Sequence, residues 1–430
     1  MEIREQSGIR ALLKDVPIPN MCQVRQKFAM DGIPDVAQTL RQKLDNAALK
    51  GRIRPGMRVV MTGSSRQISN MPLILRELAD YVRQQGGVPC IIPAMGSHGG
   101  ATDEGQKELL ESYGITESYC GCPIVSSMET VCVGHLPDGS EVRMDKVAHD
   151  ADAIIVVGRI KAHTAFRGEY ESGLVKMMAI GMGKRAGADS LHSAGFGEMG
   201  KRLPEYAKVV FDNCNVIFGV APIENEFDQT CRIEVIPAEE IFDREPELLK
   251  YAKSRLPRIL LPETDLLVVG EIGKNFSGSG MDPNVTGTFG TPFATGGIRK
   301  QRVTVLDLSE QTHGNFIGLG MADTTTKRAF EKLDTNATYF NMLTSTVLTV
   351  GKIPMVLEDD KLAIQAALKT LTQVDKSHIR VVYLKNTLSL KTIMVSEALL
   401  DEVRQRDDME ILEQPHPLSF DGEGRLLDLR

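Results

Sequence analysis

The chain is predicted to be an α/β protein of two α/β domains with a cofactor and substrate cleft between them. Three observations predict this. The 430 residues exceed the roughly 250 to 300 at which a single core stops growing. Short apolar runs alternate with amphipathic segments along both halves, the pattern of strand–helix units. Two stretches, Asp152–His163 (DAIIVVGRIKAH) and Asp265–Asn275 (DLLVVGEIGKN), are near-copies: an aspartate, a buried-type apolar run, a glycine, then polar groups. Ligands of open α/β sheets sit outside the carboxyl ends of strands, so these two loops are expected to face one cleft.

Taken in order, Arg58–Thr62 reads as a strand leading through Gly63 to Arg66, followed by a helix from Met71 to Gln85 that stops at Gly86 and Gly87. Val88–Pro93 is the next strand. It leads through Gly96-Ser-His98 to Thr102, which caps a helix ending near Tyr113 and Gly114. A helical segment at Met144–Asp150 precedes the strand at 153–157, the His163 loop and the Gly173–Gly183 segment; Asn215–Val220 is a further strand. The charged helix Glu239–Lys253, with Pro257 and Pro262 after it, places the domain boundary near 256. In the second half, strands are expected at 266–270, 302–307, Phe316–Met321 and Val381–Leu384. Helices are expected at Thr324–Leu333, capped by Asp323, and at Asp359–Leu371. The domains are therefore 1–256 and 257–395, with a tail, 396–430, packing back on the N-terminal domain.

Composition excludes several classes. A formal net charge of -7 opposes attraction to nucleic acid or anionic membranes. The start MEIREQSGIR has no apolar targeting core and no run approaches the roughly 20 apolar residues of a membrane span, so a cytoplasmic location is expected. Seven scattered cysteines do not frame a disulfide scaffold. Cys120, Cys122 and Cys132 fit no zinc ribbon and read as small apolar residues near a strand. Gly181-Met-Gly183-Lys184 lacks the Walker spacing, and neither a nucleophile elbow nor a GxGxxG fingerprint is present.

Polar groups with chemical capacity stand at four strand ends: Arg66, His98, His163 with Lys176, and Glu271 with Lys274. Together they offer two imidazoles for acid/base work, cations for a carboxylate and an amine nucleophile. Each also has a plain reading. His98 is a turn histidine, Lys176 a snorkelling lysine at a helix start, and His192 a helix-end cation. Histidines 135, 149, 313, 378 and 416 have no partners at meaningful spacing and read as surface or turn residues.

In order, Gly96-Ser-His98, His163, Lys176 with His192, and Glu271-x-x-Lys274 resemble the nickel-dependent lactate racemase family over nearly the whole chain. The resemblance implies a nickel-pincer nucleotide, a pyridinium mononucleotide tethered through one thio-carbonyl arm to a lysine amine, supplied by cofactor-biosynthesis enzymes. Lys176 matches the tether and His192 the nickel ligand; Ser172, Gly173 and Arg66 are expected beside the cofactor. His98 and His163 match the paired acid/base histidines, Arg66 the arginine after the first strand, and Lys274 the lysine of the Gln-x-x-Lys motif. The activity implied is racemisation or epimerisation of a small 2-hydroxy acid by proton-coupled hydride transfer.

The chain departs from that family pattern in four places. Gly63 replaces an aspartate, Glu271 replaces the glutamine, His163 lies farther from Lys176, and there is no tryptophan. Glu271 would repel a bare carboxylate and accept hydrogen bonds from further hydroxyls, which points to a sugar acid rather than lactate. Two alternatives stand beside this reading: a non-catalytic nucleotide or metabolite binder of the same fold, and a pyridoxal phosphate enzyme using Lys176 as its Schiff base.

Overall fold

The computed structural model describes residues 6–428; residues 1–5 and 429–430, parts of the MEIREQSGIR start and the closing LLDLR, lie outside them. The protein divides into two compact units, Met30–Leu256 and the chain up to Ala29 together with the chain from Pro257. The first strand, β1 (Met21–Gln26), therefore belongs to the second unit rather than to the N-terminal domain expected from the sequence.

Unit Met30–Leu256 contains β2 (Arg58–Gly63), β3 (Val88–Pro93), a separate hairpin of β4 (Thr130–His135) and β5 (Glu141–Asp145), β6 (Ala153–Val157), β7 (Val216–Glu224) and β8 (Thr230–Pro237). Its five-stranded sheet has the order β3-β2-β6-β7-β8, parallel except for β8. Alternate residues enter cores on opposite faces: Val59, Met61, Ile155 and Val157 on one, Val60, Ile154 and Val156 on the other. Burial on both faces is why β6 reads as an unbroken apolar run. Helix α1 (Met71–Gln84) buries Ile74, Leu75, Leu78 and Val82. Helix α2 (Asp103–Ser112) is capped by Thr102, which accepts from the Gly105 N–H. The segment expected as a helix from Met144 is instead β5 down to Asp145, whose carboxylate caps the short helix Lys146–His149.

Because β3 and β6 flank β2 on opposite sides, the winding direction reverses there, and such a reversal leaves a crevice at the carboxyl ends of the strands. Thr62 ties β2 to β6 at this point. Its Oγ1 donates to Val157 O at 3.0 Å and accepts from Val157 N–H at 2.8 Å.

The second unit adds β9 (Leu266–Val269), β10 (Arg302–Val305), β11 (Thr324–Thr326), β12 (Met355–Leu357), β13 (Val381–Leu384), β14 (Thr392–Ser396) and β15 (Met409–Ile411). Its sheet has the order β12-β11-β10-β9-β13-β14-β1-β15. The tail, expected on the N-terminal domain, instead supplies β15, which pairs with β1 on one side while β14 pairs with it on the other, and the two satisfy its backbone groups. Phe316–Met321 is not a strand: Gly318 adopts φ of 97° and the segment closes in a 3₁₀ turn, Leu319–Met321. Asp323 does not cap a helix either. Its carboxylate accepts from Val303 N–H at 2.7 Å, and Thr326 caps Lys327–Glu331. Among the described residues no helix is long and apolar enough to cross a membrane.

Candidate functional site

The loop after β6 begins at Gly158, where an added Cβ would stand 2.6 Å from Met177 Cγ. Glycine is thus required for the strand end to lie against the segment carrying Lys176. Lys161 and Ser172 exchange backbone hydrogen bonds of 3.0 and 3.2 Å and close residues 162–171 into a loop. Inside it the buried Glu171 carboxylate accepts from the His163 N–H at 2.7 Å and from Lys253 Nζ at 2.7 Å. His163 is held by this inner anion. Its Nδ1 accepts from the Ala165 N–H at 3.1 Å, so the neutral ring carries its proton on Nε2.

Lys176 ends a short helical turn, Leu174–Lys176, that runs into a π-helical turn, Met177–Gly181. Leu174, Val175, Met178 and Ala179 are in the core, and Leu174 lies so close to β7 that a Cβ on Gly219 would approach its Cδ1 to 2.4 Å. Lys176 is left half-buried at the edge of this packing. Helix α3 (Lys184–His192) carries His192 in its last turn, and α4 (Phe196–Asn213) opens with Phe196. The Phe196 ring stands 5.6 Å from His192 and 6.3 Å from His163, and Phe166 stands 4.5 Å from His163, centroid to centroid.

Lys176, His163, His192 and Arg66 form one electrostatic group. Burial, and then the nearby Arg66 cation, pulls the Lys176 amine down to about 8. Burial, and then the charges of Lys176, His192, Arg167 and Arg66, hold the His163 imidazole well below its ordinary range. Burial and Lys176 lower His192, against a smaller opposing pull from Asp189. Both rings are therefore neutral near pH 7, and Lys176 has a sizeable share of unprotonated amine. Arg66, exposed at the end of β2, stays a cation. A cationic patch within a net-acidic chain suits an anionic ligand.

His98 follows β3, on the other side of β2 from His163. It donates from Nδ1 to Met95 O at 2.8 Å, which leaves the lone pair of the neutral ring on Nε2. Its turn is fastened from beneath: Gln106 Nε2 donates to Gly96 O at 2.9 Å and His98 O at 3.1 Å. Lys184 in turn donates to Gln106 Oε1 at 3.2 Å and Pro93 O at 2.6 Å, and pairs with Asp145 at 3.0 Å, both charges fully buried. Gly96 N–H also donates to Gly181 O at 3.2 Å, tying the His98 turn to the π turn. The sequence reading missed Glu171, Phe166, Phe196 and Lys184. The phosphate-loop likeness at Gly181–Lys184 reflects this buried ion pair.

Ser172 closes the loop base, and Gly173 directly precedes the Lys176 turn. Glu271 and Lys274 are half-buried in the second unit. There Glu271 Oε1 accepts from Asn386 Nδ2 at 3.0 Å, and Lys274 Nζ donates to Gly278 O at 3.1 Å. Cys120 and Cys122 are buried, whereas Cys132 is exposed beside His135 and Glu141, their donor atoms within 4.8 Å of one another. His135, expected to be without partners, is thus part of a cluster. Glu141 in that cluster already pairs with Arg143 at 2.8 Å, so a guanidinium stands where a metal cation would be neutralised.

Residues 10–203 match the model of the lactate racemase N-terminal domain. The fold is shared with two solved structures. The lactate racemase apoprotein from Thermoanaerobacterium thermosaccharolyticum superposes with a TM-score of 0.50 at 13% identity, over 85% of this chain and 93% of that one. A protein from Thermotoga maritima superposes with a TM-score of 0.51 at 14% identity, over 84% of this chain and 99% of that one. At these identities the likeness is one of fold. No curated protein matches the chain.

Proposed function

We propose, from the match of residues 10–203 to the lactate racemase N-terminal domain, that the chain is a member of that family and an isomerase inverting the α carbon of a 2-hydroxy acid with a nickel-pincer nucleotide. One observation carries the reading. A half-buried lysine amine brought down to about 8 shares its surroundings with two neutral imidazoles and an arginine.

These residues fit the cofactor. Attachment through a thioamide needs an unprotonated amine, which Lys176 supplies, and nickel ligation needs a neutral imidazole, which His192 supplies. Lys176 would hold the nucleotide and His192 its metal, with Phe196 against the His192 ring. When bound, the group supplies the acceptor that takes the α hydrogen as a hydride and returns it. The chain's own residues handle the proton and the charge. Arg66 offers its guanidinium to the substrate carboxylate. His98 has its lone pair on Nε2 and takes the hydroxyl proton as the carbonyl forms. His98, now an imidazolium, gives that proton back when the carbonyl is returned to an alcohol, while His163, neutral with its proton on Nε2, donates a hydrogen bond to the same oxygen, so the two rings start in complementary tautomers. Glu271, set by Asn386, supports a substrate with hydroxyls beyond the α carbon.

The test uses protein loaded with cofactor and a panel of 2-hydroxy acids deuterated at C2, read by chiral chromatography and mass spectrometry. Interconversion of stereoisomers with a primary isotope effect and the label kept at C2 is expected. No interconversion of any member by loaded protein would refute the isomerase reading, and washout of the label would refute hydride transfer.

A further inference from the structure

We infer that Glu245 is the positioning residue of Lys176, and that position 173 is glycine in order to admit it. Glu245 stands on α5 (Ile241–Ser254), far along the chain from the lysine, and is 1% exposed. Its Oε2 accepts the Val175 N–H at 3.0 Å. A Cβ at Gly173 would stand 2.2 Å from Glu245 Oε1 and 2.6 Å from its Cδ, well inside contact distance, so no other residue fits there without driving the carboxyl away. Gly173, Leu174 and Val175 are the three residues that enter the Lys176 turn. That turn is held on one side by Leu174 against Gly219 and on the other by this carboxyl.

A buried acid without a salt-bridge partner is costly. Burial raises the Glu245 carboxyl to about 7, opposed only by the backbone amides of Val175 and Leu174. Its charge acts on Tyr170, and no cation is among the influences on the carboxyl itself. A carboxyl in this setting is explained by what it holds: the first amides of the turn that delivers the amine. Because those amides are taken, a nucleotide phosphate has to find its donors elsewhere in the cationic group.

The inference rests on Lys176 being the reactive amine of the proposed site, but its test needs neither cofactor nor substrate. Full-length apoprotein is acylated competitively with acetic anhydride over a range of pH. Labelling of Lys176 is read by peptide mass spectrometry against the exposed Lys250. In the wild type Lys176 should titrate at about 8. Glu245→Gln, whose amide oxygen can accept the same N–H, should keep that value. Glu245→Ala and Gly173→Ala should raise the proton affinity of Lys176 at least about tenfold, as the loosened turn lets water reach the amine. An unmoved Lys176 titration in both alanine variants, or a Glu245→Gln variant that behaves like Glu245→Ala, would overturn the inference. If Glu245→Ala fails to fold, Gly173→Ala set against Glu245→Gln decides it. An inactive loaded enzyme would count against the proposed function and leave this result intact.

Discussion

β6 and β9 carry nearly the same residues, are buried along their whole length and lie in parallel surroundings. Beyond the glycine that ends each of them the two regions diverge. After β6 the chain closes a loop around a buried glutamate and returns as the turn that presents Lys176, so the ionisable groups are crowded together and partly withdrawn from water. After β9 the charged side chains settle onto neighbouring loops, Glu271 on Asn386 and Lys274 on the Gly278 carbonyl. A strand-and-glycine motif therefore builds a platform, and the chemistry depends on what the following dozen residues do with water.

The largest effect should fall on Lys176. Lys176→Ala is expected to lose the covalent adduct seen by intact mass after co-expression with a cofactor pathway, while Lys274→Ala keeps it. An adduct that survives in Lys176→Ala would break the contrast between the regions. Next come the histidines. His163→Ala and His98→Ala should retain nickel and lose at least about a hundredfold in kcat, whereas His192→Ala should lose nickel itself. Metal analysis beside kinetics checks both, and full activity in either of the first two removes that ring from the proton chemistry.

A smaller effect sharpens the electrostatic side of the comparison. The Glu245 carboxyl rises from 4.5 to about 7 on folding, so its contribution to stability is complete below about 4.5 and is lost as pH climbs through 7. The shift corresponds to about 3 kcal/mol. Denaturant titrations on either side of that window should show Glu245→Gln gaining about this much over the wild type at the higher pH. A pH-independent difference would mean that the carboxyl is not buried as an acid. The smallest effect concerns the β9 region. Glu271→Gln should lower kcat/KM for sugar acids over short 2-hydroxy acids, because a site that pairs a hydroxyl discriminates through groups left unpaired. An unchanged ratio would confine Glu271 to its bond with Asn386.

The platform was legible and its supports were not. Fully buried parallel strands announce themselves as apolar runs, and Thr102 declares its helix by cap chemistry, so the elements around His98 and His163 could be read residue by residue. Glu171 and Glu245 carry no signal in the sequence, and Lys184 only a false phosphate-loop one, since nothing local distinguishes a buried ion from a solvated one. Their burial is created by partners far along the chain, Pro93 for Lys184 and Val175 for Glu245. The same distance hid the place of β1, whose neighbour Ser396 lies at the other end of the sequence. Phe316–Met321 misled for the opposite reason: its apolar residues are core, but Gly318 bends the backbone out of the extended region.

The π turn at Met177–Gly181 makes the aim of Lys176 a matter of count as well as of chemistry. A π turn holds one residue more than the α-helical ladder needs, and each residue of an α-helix subtends about 100° of rotation. Deleting one of these five residues would let the ladder close regularly and swing the amine about a quarter of a circle relative to α3. Every functional side chain would still be present in such a variant, with the lysine facing the wrong way.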